Sequence, residues 1–323
     1  MPAPKNGTAQ SFGRRALPRR IGVSCDRIRT FYIHPPSKLD LMTPGLAFAL
    51  VAMVCFGVSD LIYKRAAAAG IEAGEFVMLQ AWVFGPGVTV YAWLTGTLAL
   101  HASALWGSLA GLFLFVAMLN FAASLRGGAV STNAPIFRLN FTITAALAIF
   151  LLGETLTAIK IAALACALVA AWLLLAEPSA RRGAPQIGSL IRVLIATLAM
   201  AFTNFFYKVG LQHGALPETM VCAQAWVFGS LATTLHFWRE RRIHLTPCSW
   251  RYSSLAALAL AAAFIALMHG LARGPASVLV PVAQMSFVFT ALAGAALFHE
   301  RLDLKKRWGL VVAMAALALF ALS

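Results

Sequence analysis

Phe56 to Gly85 reads FGVSDLIYKRAAAAGIEAGEFVMLQAWVFG. Asp60 and Lys64 stand one helical turn apart in an otherwise apolar run, and the stretch closes on Gln80-Ala81-Trp82-Val83-Phe84-Gly85. The same wording returns 144 residues later, as Asn204-Phe205-Phe206-Tyr207-Lys208 and then Gln224-Ala225-Trp226-Val227-Phe228-Gly229. Aligned without gaps, 60–85 and 204–229 agree at ten of twenty-six positions. An apolar composition raises chance matches, but it does not put Tyr-Lys and a six-residue string in one register. The chain is a tandem repeat.

A second block extends it. At an offset of 146, Leu125–Leu156 matches Leu271–Leu302, pairing Gly128 with Gly274, Pro135 with Pro281, Thr144 with Thr290 and Glu154 with Glu300. The two extra residues between the blocks fit a difference in loop length.

Composition sets the class. Of the residues, 60% are hydrophobic and 11% charged, where a soluble domain carries about 25% charged residues. Mean hydropathy is +0.80. Nearly charge-free stretches of roughly 18 residues or more recur, each long enough to cross a bilayer. The class is a polytopic all-α membrane protein. The formal charge of +15 does not indicate nucleic acid, because eight of the 26 Lys and Arg fall in the first 41 residues and most others in short loops. The five cysteines show no metal or redox spacing, and Cys55, Cys166 and Cys222 sit inside apolar runs.

Residues 1–41 are Arg- and Pro-rich, which predicts a disordered basic tail; Met42, directly before the first span, offers an alternative start. The same Arg enrichment is found in organelle transit peptides. Spans are expected near 44–66, 75–96, 105–125, 130–152 and 157–176, then near 189–211, 218–238, 252–272, 276–298 and 304–322. The polar string EPSARRGAPQIG, 177–188, is the linker between repeat 1 (42–176) and repeat 2 (189–323). Five spans per copy is an odd number, so the second copy enters the membrane upside down. That is the inverted-repeat plan of secondary transporters, with the binding site near the midplane between the halves.

At these residues the sequence resembles the EamA family of the drug/metabolite transporter superfamily. Phe56-Gly57-x-x-Asp60-x-x-x-Lys64 and Ala201-x-x-Asn204-x-x-x-Lys208 stand at the family's first-helix pattern. Pro135 with Gly153-Glu154-Thr155-Leu156, and Pro281 with His299-Glu300-Arg301-Leu302, stand at its fourth-helix pattern. The resemblance spans Thr43 to Ser323 and implies ten helices that export or exchange small metabolites. The family commonly has Arg in the second helix where this chain has Gln80 and Gln224.

Ionisable groups at membrane depth cost about 2.5–3.5 kcal/mol each on insertion scales, so they face a wet cavity or a partner. Asp60 and Lys64 lie on one helix face and read either as a structural ion pair or as a site for a charged substrate or a proton; Lys64 also has the option of snorkelling to the interface. Lys208 has Asn204 in place of the acid and no local counter-charge, which points it at a substrate anion. Arg138, three residues after Pro135, is the sharpest clue. A proline-broken membrane helix lines cavities, and Arg there holds a carboxylate or phosphate with both arms; the alternative is Arg138 locked to Asp60 or to a carbonyl. Its repeat counterpart is Gln284. Gln80 and Gln224 are expected to line the cavity, with Trp82 and Trp226 on the opposite helix face. The expected substrate set is Asp60, Lys64, Gln80, Arg138, Asn140, Asn204, Lys208, Gln224 and Gln284, with Pro135 and Pro281 as helix breaks. His269 reads as a packing histidine, and Glu154 and Glu300 as salt-bridge partners of Lys160 or Arg301.

No phosphate loop, nucleophile signature or HExxH occurs, and neither cofactor nor metal is expected. Loop Lys and Arg after Met42 concentrate on the side of Lys64, Arg126, Arg181 and Arg239, against Lys160, Lys208 and Arg273 on the other, which puts both termini outside. The expectation is a secondary-active exporter or exchanger of a small polar metabolite, amino-acid-like or anionic, in a bacterial inner membrane. Its partners are the substrate, the lipid bilayer and protons or a counter-substrate, not nucleic acid, and it acts as a monomer or homodimer. The alternatives are a cationic drug exporter using Asp60, a lipid-carrier flippase, a membrane scaffold and an integral membrane enzyme.

Overall fold

The computed structural model describes residues 43–99, 102–127, 130–175, 187–240, 246–298 and 303–323. The tail at 1–41 lies outside these residues, as does all of the linker except Ile187 and Gly188. Among the described residues the regular structure is entirely helical. The segments are α1 (Pro44–Ala68), α2 (Ala73–Leu94), α3 (Ala104–Gly127), α4 (Val130–Arg138), α5 (Asn140–Leu152), α6 (Ala158–Leu175), α7 (Ile187–Gln212), α8 (Pro217–Glu240), α9 (Pro247–Leu271), α10 (Ala276–Gln284), α11 (Ser286–Phe298) and α12 (Leu304–Ala321).

Hydrocarbon offers the backbone no hydrogen-bond partner, so spans close their bonds internally as helices. Their ends follow the side chains. Thr43 Oγ1 accepts from Leu46 N (3.3 Å), with Pro44 opening α1. Thr246 and Ser249 cap α9 reciprocally, Ser249 N donating to Thr246 Oγ1 at 3.0 Å and Thr246 N to Ser249 Oγ at 3.2 Å. That capping box starts α9 five residues before the expected 252. Gly153 stops α5 in the left-handed region (φ 69°), and Glu154 N–H turns back to Ala148 O at 3.2 Å.

The fourth and ninth expected spans are each divided, α4 from α5 at Leu139 and α10 from α11 at Met285. Each break falls four residues after the proline, directly after Arg138 and Gln284. Counting the divided helices once gives ten helices among the described residues. Eight are long and apolar enough to cross a membrane on composition. The other two, α8 and α12, carry Glu218 and Gln224, and Lys305-Lys306-Arg307, respectively; they complete the bundle by packing on α2 and α3, and on α6.

The repeats interleave. The first helix of each packs along the third helix of the other, α1 on α9 and α7 on α3. The divided helices join the same groups, α10 and α11 against α1 and α4 and α5 against α7, and α5 and α10 pack on each other where the groups meet. Two mixed bundles result, one of α1, α9, α10 and α11, the other of α7, α3, α4 and α5. Helices α2 and α8 pack on each other and on α9 and α3, and α6 pairs with α12. Glycines permit the closest approaches: a Cβ on Gly111 of α3 would lie 2.7 Å from Gln224 O of α8, and one on Gly57 2.5 Å from the Phe289 ring.

Candidate functional site

Arg138 is the last residue of α4, and its Nη1 donates to both the backbone oxygen (3.2 Å) and the side-chain Oε1 (3.1 Å) of Gln284. Gln284 is the last residue of α10 and the repeat counterpart of Arg138. Two equivalent positions touch only where the relating axis passes between them, so the two helix breaks face each other across it. An inverted repeat has that axis in the membrane plane. The Arg138 guanidinium lies 5.5 Å from the Phe287 ring centroid.

Asp60 comes to the same place from α1. Its Oδ2 accepts from Ser286 Oγ (3.1 Å), the first residue after the α10–α11 break. Thr290, one turn on, interacts with the same carboxylate, and Arg138 is the cation whose charge bears on it. The repeat image of this group is Asn204 with Asn140 and Thr144. Asn204 Nδ2 reaches Thr144 Oγ1 at 3.5 Å, Thr144 donates to Asn140 O (2.9 Å), and Asn140 Nδ2 donates to Phe137 O (2.6 Å). Both asparagines are fully buried, and the Oδ1 atom of each accepts from no donor in the protein. The halves therefore present different chemistry about one axis: opposite charges on one side, neutral acceptors on the other.

The remaining expected residues are placed elsewhere. Tyr63 OH donates to Gln80 Oε1, and Tyr207 OH to Gln224 Oε1 (2.5 Å). The repeated Tyr and Gln thus tie the first helix of each copy to its second. Lys64 is exposed near the end of α1. Lys208 donates to the backbone oxygens of Leu271 (2.8 Å) and Gly274 (2.7 Å). Glu154 of the other repeat is near enough for its charge to bear on Lys208, without an ion pair between them, which neighbouring sequence does not reveal. Glu154 is not spent on Lys160, whose Nζ donates to Thr155 O (2.8 Å); it accepts the backbone N–H groups of Ala276 and Ser277. His269 pairs with Glu218 (Nε2–Oε1 2.9 Å) and stacks on Phe48.

At the other end of the axis Trp82 Nε1 donates to Thr233 Oγ1 and Trp226 Nε1 to Thr89 Oγ1, both at 3.0 Å. Thr89 and Thr233 are repeat counterparts, so these bonds are reciprocal. They border a recess of about 400 Å³ between α2 and α8, lined by Trp82, Gly85, Trp226, Gly229 and Thr233 among others. Both indoles stay exposed (37% and 53%), while Phe84 and Val88 on the other side of α2 are buried in the core. The recess opens outward and shares no lining residue with the Arg138 group. No three His, Cys, Asp or Glu among the described residues are grouped to hold a metal ion.

The profile of the EamA-like transporter family matches residues 43–176 and again residues 188–322. The chain belongs to this family. EamA-like proteins are transporters, and this one is an integral multi-pass membrane protein built from two EamA repeats. A search of curated proteins returned no match to the sequence. A solved crystal structure, titled only as that of a protein, superposes with a TM-score of 0.74 at 14% identity, over 85% of this chain and 95% of its own. At that identity the likeness is one of fold alone.

Proposed function

We propose that the chain is a secondary-active exporter or exchanger of a small polar metabolite in a bacterial inner membrane, working by alternating access around the Arg138–Asp60 group. The reading rests on one observation: a cation and an acid from different helices stand beside two facing helix breaks, Arg138 on Gln284 and Asp60 on Ser286. A fork-shaped guanidinium suits a carboxylate. Asp60 beside it makes the group neutral overall, which favours a dipolar, amino-acid-like substrate over a multiply charged anion. The orphaned Oδ1 atoms of Asn140 and Asn204 supply acceptors for ammonium or hydroxyl donors. With no ATP-binding motif in the sequence, the driving force is the substrate gradient, protons or a counter-substrate.

Interleaving bears on the motion. The units that rock are the mixed bundles, α1–α9–α10–α11 against α3–α4–α5–α7, because intact repeats would have to shear along α1–α9 and α3–α7.

The test is efflux from proteoliposomes of the full chain loaded with labelled amino acids, dicarboxylates and organic cations, after profiling metabolites of cells with and without the protein. Arg138→Gln should abolish movement of carboxylate-bearing substrates. Unchanged efflux of all of them by well-folded Arg138→Gln protein would sink the assignment. Drug export lost in Asp60→Asn, with amino-acid movement absent throughout, would replace it with the cationic reading.

A further inference from the structure

Lys208 and Glu154 converge where α5, α7 and α9 end. Lys208 Nζ binds the oxygens of Leu271 and Gly274 (2.8 and 2.7 Å), and the Glu154 carboxylate binds the N–H groups of Ala276 and Ser277 (2.7 and 2.9 Å). Leu271 ends α9 and Ala276 begins α10, so the pair grips both ends of the four-residue connection at 272–275. Each end receives the charge it favours. The last carbonyls of a helix form its negative pole and the first N–H groups its positive pole.

Their position in the fold gives this arrangement its meaning. Lys208 is on α7 and Glu154 follows α5, both in one mixed bundle, while the connection joins two helices of the other. All four hydrogen bonds cross between bundles. The Arg138–Gln284 bonds cross too, but they lie on the axis, where rocking displaces atoms least. The Lys208–Glu154 bonds lie at the helix ends, where it displaces them most. A mere cap on α10 would need only Glu154.

We infer that Lys208 and Glu154 form a latch closing this face of the two bundles, and that access to the Arg138 group from this face requires the four bonds to break together. The inference rests on the transporter reading for its purpose, but its test does not use a substrate.

The full chain in nanodiscs is compared as wild type, Glu154→Gln, Lys208→Met and Lys208→Arg. Backbone hydrogen exchange is followed over 272–279. In parallel, a single cysteine at Ala283, fully buried on α10, is labelled with a membrane-impermeant thiol reagent after the native cysteines are replaced. Glu154→Gln and Lys208→Met should each raise both exchange and labelling at least tenfold, with α3 and α7 still protected, and Lys208→Arg should stay near wild type. Faster exchange at 276–277 with labelling unchanged would reduce Glu154 to a helix cap and overturn the latch. So would wild-type labelling in Lys208→Met. If Lys208→Met does not fold, the Glu154→Gln and Lys208→Arg pair decides the matter. A latch that opens as expected in a protein that moves no substrate leaves the latch standing and removes the transporter reading; transport with unresponsive variants does the reverse.

Discussion

Arg138 donates two hydrogen bonds to Gln284, its own counterpart in the other repeat. Contact between equivalent positions fixes the axis of the molecule, and the difference between the two residues places a single cation on it. Arg138→Gln makes the axis symmetric. It should reduce movement of carboxylate-bearing substrates by two orders of magnitude or more, about 3 kcal/mol at tenfold per 1.4 kcal/mol, while two facing glutamines keep the breaks bonded and the protein folded. Arg138→Lys should not restore activity, because an ammonium lacks the planar fork. Proteoliposome flux beside a thermal melt separates the two effects.

Asp60→Asn copies the residue found at Asn204 and leaves Arg138 without its counter-charge. Both groups are half-buried and no ion pair joins them, so the loss should be on the order of 1 kcal/mol. The double variant Asp60→Asn/Arg138→Gln should recover part of that loss, since no charge is then stranded. Melting temperatures of the two singles and the double form the cycle; strict additivity would deny the coupling.

The two Tyr–Gln ties invite a graded comparison. Tyr207 is fully buried and Gln224 nearly so, whereas Tyr63 is only partly covered. Phenylalanine at either position strands a glutamine oxygen, at a cost of about 1 kcal/mol within membranes. Tyr207→Phe should destabilise more than Tyr63→Phe in the same detergent. Equal melts would show that burial is not what sets the cost.

Glycines separate in the same way. Gly57→Ala drives a methyl to 2.5 Å from the Phe289 ring and should cost about 1–3 kcal/mol through overpacking of α1 on α11. Gly85→Ala meets nothing within 4 Å. It should be neutral, or stabilising by up to about 1 kcal/mol through helix propensity.

Much of the architecture is legible in the text. The Tyr-Lys and Gln-Ala-Trp strings reveal the repeat, five spans per copy reveal its inversion, and Pro135 with Arg138 marks the broken helix. Which face of each span meets which neighbour is not legible, because a helix in lipid is apolar all round and has no water-facing stripe to orient it. Asp60 therefore reads either as a partner for Lys64 one turn away or as a site for a charged substrate or a proton, and nothing local points to the hydroxyl of Ser286, 226 residues on, that it binds. Lys208 reads as unpaired because Glu154 belongs to another helix. Gln80 and Gln224 read as cavity residues because nothing local assigns their oxygens to Tyr63 and Tyr207, although the constant spacing of 17 between each Tyr and its Gln was a signal available in both copies.

The interleaving of α1 with α9 and of α7 with α3 has a consequence for biogenesis. As the nascent chain is inserted, α1 and α3 enter the bilayer before their main neighbours have been synthesised, so the first half has no finished core to settle into. The halves are obligate partners in assembly. Cut between α6 and α7, each should be degraded when made alone, and the two should rebuild the ten-helix body when made together in one membrane.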